Sequence, residues 1–412
     1  MSSPVIIVGA GLAGLCCARQ LHRRGVPFRL IDSSDRVGGR IRTDLVDGFR
    51  LDRGFQVFLS SYPEAREVLD YNDLNLRPFL PGALVRFGGR FHTLADPWRR
   101  PIAAVGSVFS PIGSLRDKLR VGRIRSQAVR GDLASLVANR ETTTLQALQT
   151  AGFSPAMIDR FFKPFLGGIF LDADLQTSSR LFFYLFRMFA QGDACLPTKG
   201  MESIPQQIAD ELPASSLQLN CKVTRIQPDA VSLADGQQMA ARAVVVATDA
   251  PHAADLLGES IPRQGQGVTC LYFAAQRSPI SQPILVLNGE SGPINNLCVP
   301  TTVSPSYGPK DQSLISVTVL GASHEEPQLQ QQVRDQLQDW FGPDVQSWRH
   351  LRNYVIPYAL PRQVPPALAE FERPVRWKPG IYLCGDHRDQ GSIQGAMVSG
   401  RRAAEAILQD GS

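Results

Sequence analysis

The chain lacks most of the short signatures that would assign its class at once. Its seven cysteines, spread from Cys16 to Cys384, form no CxxC pair and no metal-ligand spacing, which excludes a zinc ribbon or a dithiol redox motif. Cys16 and Cys17 are neighbours in an expected helix and cannot share an unstrained disulfide. The cysteines therefore read as reduced, buried thiols in a reducing compartment. The first strand starts almost at once, at Val5, with no charged segment, apolar stretch and cleavage site ahead of it, so no secretory signal is expected. No run reaches the roughly 18 apolar residues of a spanning helix, and the uncharged stretch Pro101 to Leu115 is interrupted by Pro, Gly and Ser. The expectation is a cytoplasmic chain that does not cross a membrane. Internal repeats and low-complexity tracts are also missing. With 43% apolar and 20% charged residues, the composition suits a folded globular protein rather than a disordered one. A net charge of +5 says little about partners by itself, and no nucleic-acid-binding module accompanies it. Its 412 residues are too many for one compact core and enough for two lobes.

What is present begins at the N-terminus. Val5-Ile6-Ile7-Val8 is short, apolar and β-branched, as a buried parallel strand requires. Gly9-Ala10-Gly11-Leu12-Ala13-Gly14 follows, then a helical pattern through Leu15, Ala18 and Leu21 that Arg23-Arg24-Gly25 ends. Phe28 to Asp32 reads as a second strand. In a dinucleotide-binding βαβ unit the first glycine makes the turn, the second lets backbone N–H groups approach the pyrophosphate, and the third allows close helix–strand packing. The helix start around Leu12 and Ala13 supplies free N–H donors. Asp32, about 20 residues on, with Ser33 beside it, can accept bonds from ribose hydroxyls. The fingerprint alone fits NAD and FAD equally. No second GxGxxG follows a strand, so a separate nicotinamide domain is not expected.

Further strands are expected at Leu217 to Ile226, Ala230 to Leu233, Ala243 to Ala247 and Gly380 to Cys384, with a closing helix from Gly395 to Leu408. Phe87-Gly88-Gly89-Arg90-Phe91 signals a hairpin. The cofactor pieces thus lie at the start, middle and end of the chain. The expected fold is α/β. A Rossmann-type domain of the glutathione reductase kind takes residues 1–75, 196–261 and 375–412. A mixed α+β substrate domain is built from insertions at 76–195 and 262–374.

Asp35-Arg36-Val37-Gly38-Gly39-Arg40-Ile41-Arg42-Thr43 resembles the second glycine motif of the amine oxidase, phytoene desaturase and protoporphyrinogen oxidase superfamily of flavoproteins. The resemblance implies FAD, with Gly38 and Gly39 against the pyrophosphate and Arg40 neutralising it. It continues at Tyr382-Leu383-Cys384-Gly385-Asp386 and at Gly391-Ser392-Ile393-Gln394-Gly395-Ala396-Met397, which look like the C-terminal flavin segment. By that match Asp386 bonds the ribityl or phosphate portion. Ser392 and the backbone around Ile393 face the flavin at the start of the last helix, where the dipole favours negative charge. Lys222-Val223-Thr224 resembles the strand whose Val223 backbone meets adenine. Asp52-Arg53-Gly54-Phe55-Gln56 resembles the stretch near the isoalloxazine ring.

The middle of the chain, Phe162 to Phe170 and Leu196 to Met201, resembles the phytoene desaturase and carotenoid isomerase-like branch. Ser392 stands where an amine oxidase of the superfamily would place a cage aromatic, and no lysine lies between Lys222 and Lys310. Both features count against amine oxidation. The reading is an FAD-dependent desaturase, dehydrogenase or isomerase of an apolar, isoprenoid-like molecule, with oxygen or a quinone as electron acceptor. An oxidase of amines or porphyrinogens, and a flavoprotein without catalysis, are the alternatives. The aromatic run Leu181 to Phe189 reads either as the lining of an apolar tunnel or as core. Residues 99–130 carry eight Lys and Arg against Asp117 alone, with Val105, Val108, Phe109, Ile112 and Leu115 among them. This is either a solvated helix face or a contact with an anionic membrane surface. His387 reads as structural, and no acid or base is assigned.

Overall fold

The computed structural model describes residues 3–102, 106, 110–130, 140–258, 261–322 and 326–411. Its central sheet runs in the order Leu217–Gln218, Phe28–Ile31, Val5–Val8, Ala243–Val246, Ile381–Leu383 and Arg376–Lys378. The first five strands are parallel, with Val5 opposite both Phe28 and Ala243 and Val244 opposite Ile381, and the last is antiparallel. Val5–Val8 is wholly buried because both sheet faces are covered. Val5 and Ile7 pack towards the helices Leu12–Arg23 and Ile393–Asp410, against residues such as Leu15, Ala18, Ala403 and Ile407. Ile6 and Val8 point the other way, into a cluster with Val223, Val231 and Leu233 of an antiparallel meander (Val223–Gln227, Ala230–Leu233, Gln238–Ala240). Each such side chain contributes roughly 1.5–3 kcal/mol relative to exposure. That is why an uninterrupted apolar quartet is needed here.

One expected strand divides in two. Leu217–Gln218 joins the edge of the parallel sheet, and Val223–Gln227 starts afresh in the meander. The break is Asn220, held at φ +53, where its N–H reaches the Ser34 carbonyl and that of Cys221 reaches the Asp32 carbonyl. The closing helix begins at Ile393 rather than Gly395, because the Ser392 side chain accepts from the Gly395 N–H and caps it.

A second, seven-stranded sheet runs Arg349–Pro361, Gly265–Ala275, Ser313–Leu320, Asn296–Cys298, Leu285–Asn288, Gly82–Phe87 and Arg90–Ala95. The expected hairpin is its edge. Phe87 pairs with Arg90, and Gly88 and Gly89 take φ of +61 and +72, as a two-residue turn between twisted strands demands. Alternation along Gly265–Ala275 sends Leu271 and Phe273 under the helix Glu326–Phe341, whose Leu329, Val333, Leu337 and Trp340 recur at helical spacing. Cys270 and Tyr272 face the opposite way, into the large core shared with the central sheet. The continuous run Pro155–Met157, Ile158–Phe162 and Lys163–Phe170, whose middle segment is a π-helix, packs on this second sheet, and the helices Leu115–Val129 and Thr144–Thr150 pack on Ser179–Gln191. Among the described residues no helix is long and apolar enough to cross a membrane.

Candidate active site

Gly9, Asp32, Ala247 and Gly385 follow within two residues of the carboxyl ends of Val5–Val8, Phe28–Ile31, Ala243–Val246 and Ile381–Leu383. All four line one cavity of about 1330 Å³. The crevice beyond parallel strand ends is where open α/β sheets hold ligands. Its volume exceeds the roughly 300–1,000 Å³ of an ordinary small-molecule site.

The three glycines of the first turn differ in what surrounds them. Gly9 has φ +111, and a Cβ there would lie 2.8 Å from the Ala247 carbonyl oxygen. At Gly14 a Cβ would fall 1.9 Å from the Gly9 oxygen, so this residue is fixed by helix–strand packing. Gly11 has nothing within 4 Å of its would-be Cβ, so that space belongs to the cavity. The helix it caps has no side-chain cap and no acidic residue in its first turn. Its leading N–H groups, those of Leu12 and Ala13 included, are left for a ligand. The second glycine turn closes on the first. Gly38 donates to the Ala10 carbonyl at 2.9 Å, and a Cβ on Gly39, at φ +59, would sit 3.4 Å from the Gly11 Cα. Side chains at either turn would fill the cradle.

Asp32 accepts from the Ala10 N–H at 2.6 Å and the Ser34 N–H at 2.8 Å, which pins the glycine turn to the second strand. Each carboxylate oxygen keeps a further lone pair, and Ser33 beside it is exposed. Arg40 and Asp386, 346 residues apart, form an ion pair at 2.7 Å in the cavity wall. Arg40 also donates to the Ala359 carbonyl at 2.8 Å. Gly54, Phe55 and Gln56 continue the wall, with Gln56 donating to the Arg40 carbonyl at 3.1 Å. Ser392 and Ile393 border the cavity where the closing helix begins. Val223 stands apart: its side chain is in the cluster beneath the central sheet, and it is not among the residues lining the cavity.

The family model of flavin containing amine oxidoreductases matches residues 12–408. The chain belongs to the flavin containing amine oxidoreductases. It is 26% identical over 179 residues to coproporphyrinogen III oxidase of Propionibacterium freudenreichii subsp. freudenreichii, covering 40% of this chain and 31% of that one. The chain thus spans about a third of that relative's length. Over 98% of its own length and 79% of the relative's, it is 23% identical to the chloroplastic/chromoplastic 15-cis-phytoene desaturase of Narcissus pseudonarcissus. In fold it is similar to the cyclohexylamine oxidase of Brevibacterium oxydans IH-35A, with a TM-score of 0.73 at 18% identity, covering 100% and 99% of the two chains. Membership of this family makes FAD its cofactor. The open cradle at Gly11 and Gly39, the uncapped helix and the Arg40 guanidinium fit a pyrophosphate.

Beyond the cradle the cavity carries an apolar arm. Leu181, Leu185, Phe186 and Phe189 line it from the helix Ser179–Gln191, and Phe161 and Phe165 from the π-bulged run. Phe161 and Phe165 stack at 5.4 Å, and Phe165 meets Phe189 at 5.6 Å. Phe182, Tyr184 and Met188 of the same helix are buried in the core. The aromatic run thus contributes side chains both to the cavity wall and to the core. The arm reaches Trp98, Arg99, Lys118 and Arg125 of the basic segment. Arg125 lies over the Trp98 ring at 4.7 Å, and Arg99 pairs with Asp193. Ile112 does not belong to an exposed apolar face as its sequence position suggested. It is wholly buried against Ala83, Val85 and Leu287. Val105, Val108 and Phe109 lie outside the described residues.

Sequence reasoning missed a polar cluster in the same wall. Asp44 accepts from Arg53 at 3.0 Å and from the Tyr354 hydroxyl at 2.7 Å, pairs with Arg36, and has Arg352 at 3.6 Å. Burial opposes its charge, but hydrogen bonds from Arg53, Tyr354 and Arg36 outweigh it and hold the carboxyl well below the usual range. No local signal marks this cluster, since Tyr354 is 310 residues away. Asp52 lies just behind. Burial lifts its pKa to about 6, against hydrogen bonds from Thr43, the Met201 N–H and Tyr307. His387, only 6% exposed, sits behind Gly385 rather than in the cavity. Burial lowers its pKa to about 4.

Proposed function

We propose that the cavity holds FAD in a Rossmann-type unit and oxidises, desaturates or isomerises an apolar, isoprenoid-like molecule in the aromatic arm. Gly11, Gly39 and the start of the helix Leu12–Arg23 would hold the pyrophosphate, with Arg40 and Asp386 at its flank. Asp32 and Ser33 would take the adenosine ribose. Gly54 to Gln56 and the capped start of the closing helix would frame the flavin ring, and Val223 would contribute backbone near the adenine. When bound, the flavin supplies the two-electron chemistry. The protein's own part is to orient a long apolar chain and to exclude water from it. Oxygen or a quinone would take the electrons.

The observation that carries this reading is the continuous aromatic and aliphatic lining from Phe161 to Phe189. Similarity to a phytoene desaturase along 98% of the chain supports it. The test is anaerobic reduction of the purified yellow protein. Bleaching of the flavin by a hydrogenated polyene, or flavin-dependent isomerisation of a polyene without net bleaching, is expected. Bleaching by putrescine or another amine, with polyenes inert, would defeat it.

A second reading has its own observation. The cations Arg53 and Arg352 around Asp44 line the same cavity, and a carboxylate-bearing porphyrinogen would meet them. Oxidation of coproporphyrinogen, lost on Arg352→Gln, would favour that branch.

A further inference from the structure

Large apolar side chains are rarely left in water in clusters. Six are substantially exposed among the described residues, and five of them lie in one stretch: Trp98 (49%), Ile102 (90%), Leu115 (59%), Leu119 (76%) and Val129 (36%). Three belong to the helix Leu115–Val129. At about 100° per residue, Leu115, Leu119 and Val129 fall within an arc of about 80°. The same helix buries Asp117, Ile124 and Ala128 on the opposite side. It therefore has two apolar faces, and packing on the body explains only one.

Charge distinguishes the outer face further. Arg116, Arg123 and Arg130 are exposed and run along one flank of the apolar arc. The only acid between residues 98 and 130 is Asp117. Its side chain is fully buried, accepting from Ser114 and Ser154 in the helix cap. The outward surface thus presents apolar groups and cations with no carboxylate of its own stretch among them. That pattern is complementary to an anionic bilayer, where apolar side chains enter the headgroup boundary and cations meet phosphate. The neighbouring Trp98 and Lys118 also line the cavity.

We propose that the outer face of Leu115–Val129, together with Trp98 and Ile102, docks on an anionic lipid surface and turns the mouth of the apolar arm towards it. The purpose of this docking rests on the apolar-substrate reading, but binding itself does not. The experiment is therefore done without substrate. The flavin-loaded full chain is floated with vesicles of phosphatidylcholine alone, or of equal parts phosphatidylcholine and phosphatidylglycerol. Binding is expected only to the mixed vesicles, and raised salt should weaken it. Arg116→Gln with Arg123→Gln should weaken it roughly 25-fold, at about fivefold per cation. Leu115→Ser with Leu119→Ser should cost roughly tenfold or more. Unchanged flavin absorbance in both variants would show that the fold is kept. Failure of the wild-type chain to float with the mixed vesicles overturns the proposal. So does binding that neither variant weakens, or a solution dimer that the leucine variant dissociates. Such failures leave the substrate assays untouched.

Discussion

At the scale of single residues, the glycine turn separates two roles that one motif conceals. Gly14 is a packing residue, since a Cβ would meet a backbone oxygen at 1.9 Å. Gly14→Ala should destabilise the protein by about 1–3 kcal/mol or more, read as a lowered Tm with the loss of flavin following from it. Gly11 faces open space. Gly11→Val should fold with an unchanged far-UV spectrum and yet purify colourless; a yellow variant would remove the pyrophosphate from this turn. His387 and Asp389 make a second residue-scale pair. Burial puts His387 at about 4, below its ordinary 6.5. Its stabilising contribution is present above about 6.5 and lost as pH falls, by about 2 kcal/mol near pH 5. Burial also lifts Asp389 to about 7 from 3.8, so its contribution is full below 3.8 and lost as pH rises through about 7. The two slopes oppose each other. Thermal melts of His387→Leu should gain stability on acidification relative to wild type, and those of Asp389→Asn should lose it.

At the scale of elements, what could be read from the sequence tracks how local the determinants are. The strand Val5–Val8, the turn after it and the Gly88–Gly89 hairpin were all legible, because backbone sterics and alternation act over a few residues. The division at Asn220 was not, since it depends on hydrogen bonds to Asp32 and Ser34 across the fold. Neither was the division of labour on the helix Ser179–Gln191. Its cavity-lining and core side chains interleave on the same apolar side, Phe182 and Phe189 lying seven residues apart, so no period separates them. The structure makes the distinction measurable. Phe182 is fully buried, and Phe182→Ala should cost about 3–5 kcal/mol of unfolding free energy. Phe189, half-buried at the cavity, should cost only about 1–2 kcal/mol as alanine. The same change should widen the range of apolar molecules that protect the protein in thermal shift. Equal losses at both positions would mean that Phe189 is packed as fully as Phe182 and does not border open space.

At the scale of the whole molecule, the site depends on strand order rather than chain order. Ala243–Val246 and Ile381–Leu383 complete a sheet begun by the first strand, and Arg40 meets Asp386 across 346 residues. The sequence disclosed the cavity-lining stretches near its two ends because each carries its own motif. It left hidden the Asp44 cluster, whose members are unremarkable singly and acquire meaning only in contact. Ending the chain after Pro379 removes one parallel strand and the helix that covers Leu15 and Ala18. The truncated protein should be insoluble rather than a stable smaller unit, as expression yield and circular dichroism would report. A soluble, cooperatively melting product would contradict this.

The late position of Ile381–Leu383 also bears on biosynthesis. While that stretch is still inside the ribosome, the cradle has at most three of its four strand ends, and neither Asp386 nor the start of the closing helix is in place. A ligand that needs all four strand ends can then be enclosed only after that stretch has emerged and paired with Ala243–Val246. Cells starved of riboflavin would accumulate an emptied, protease-sensitive population rather than a stalled translation product.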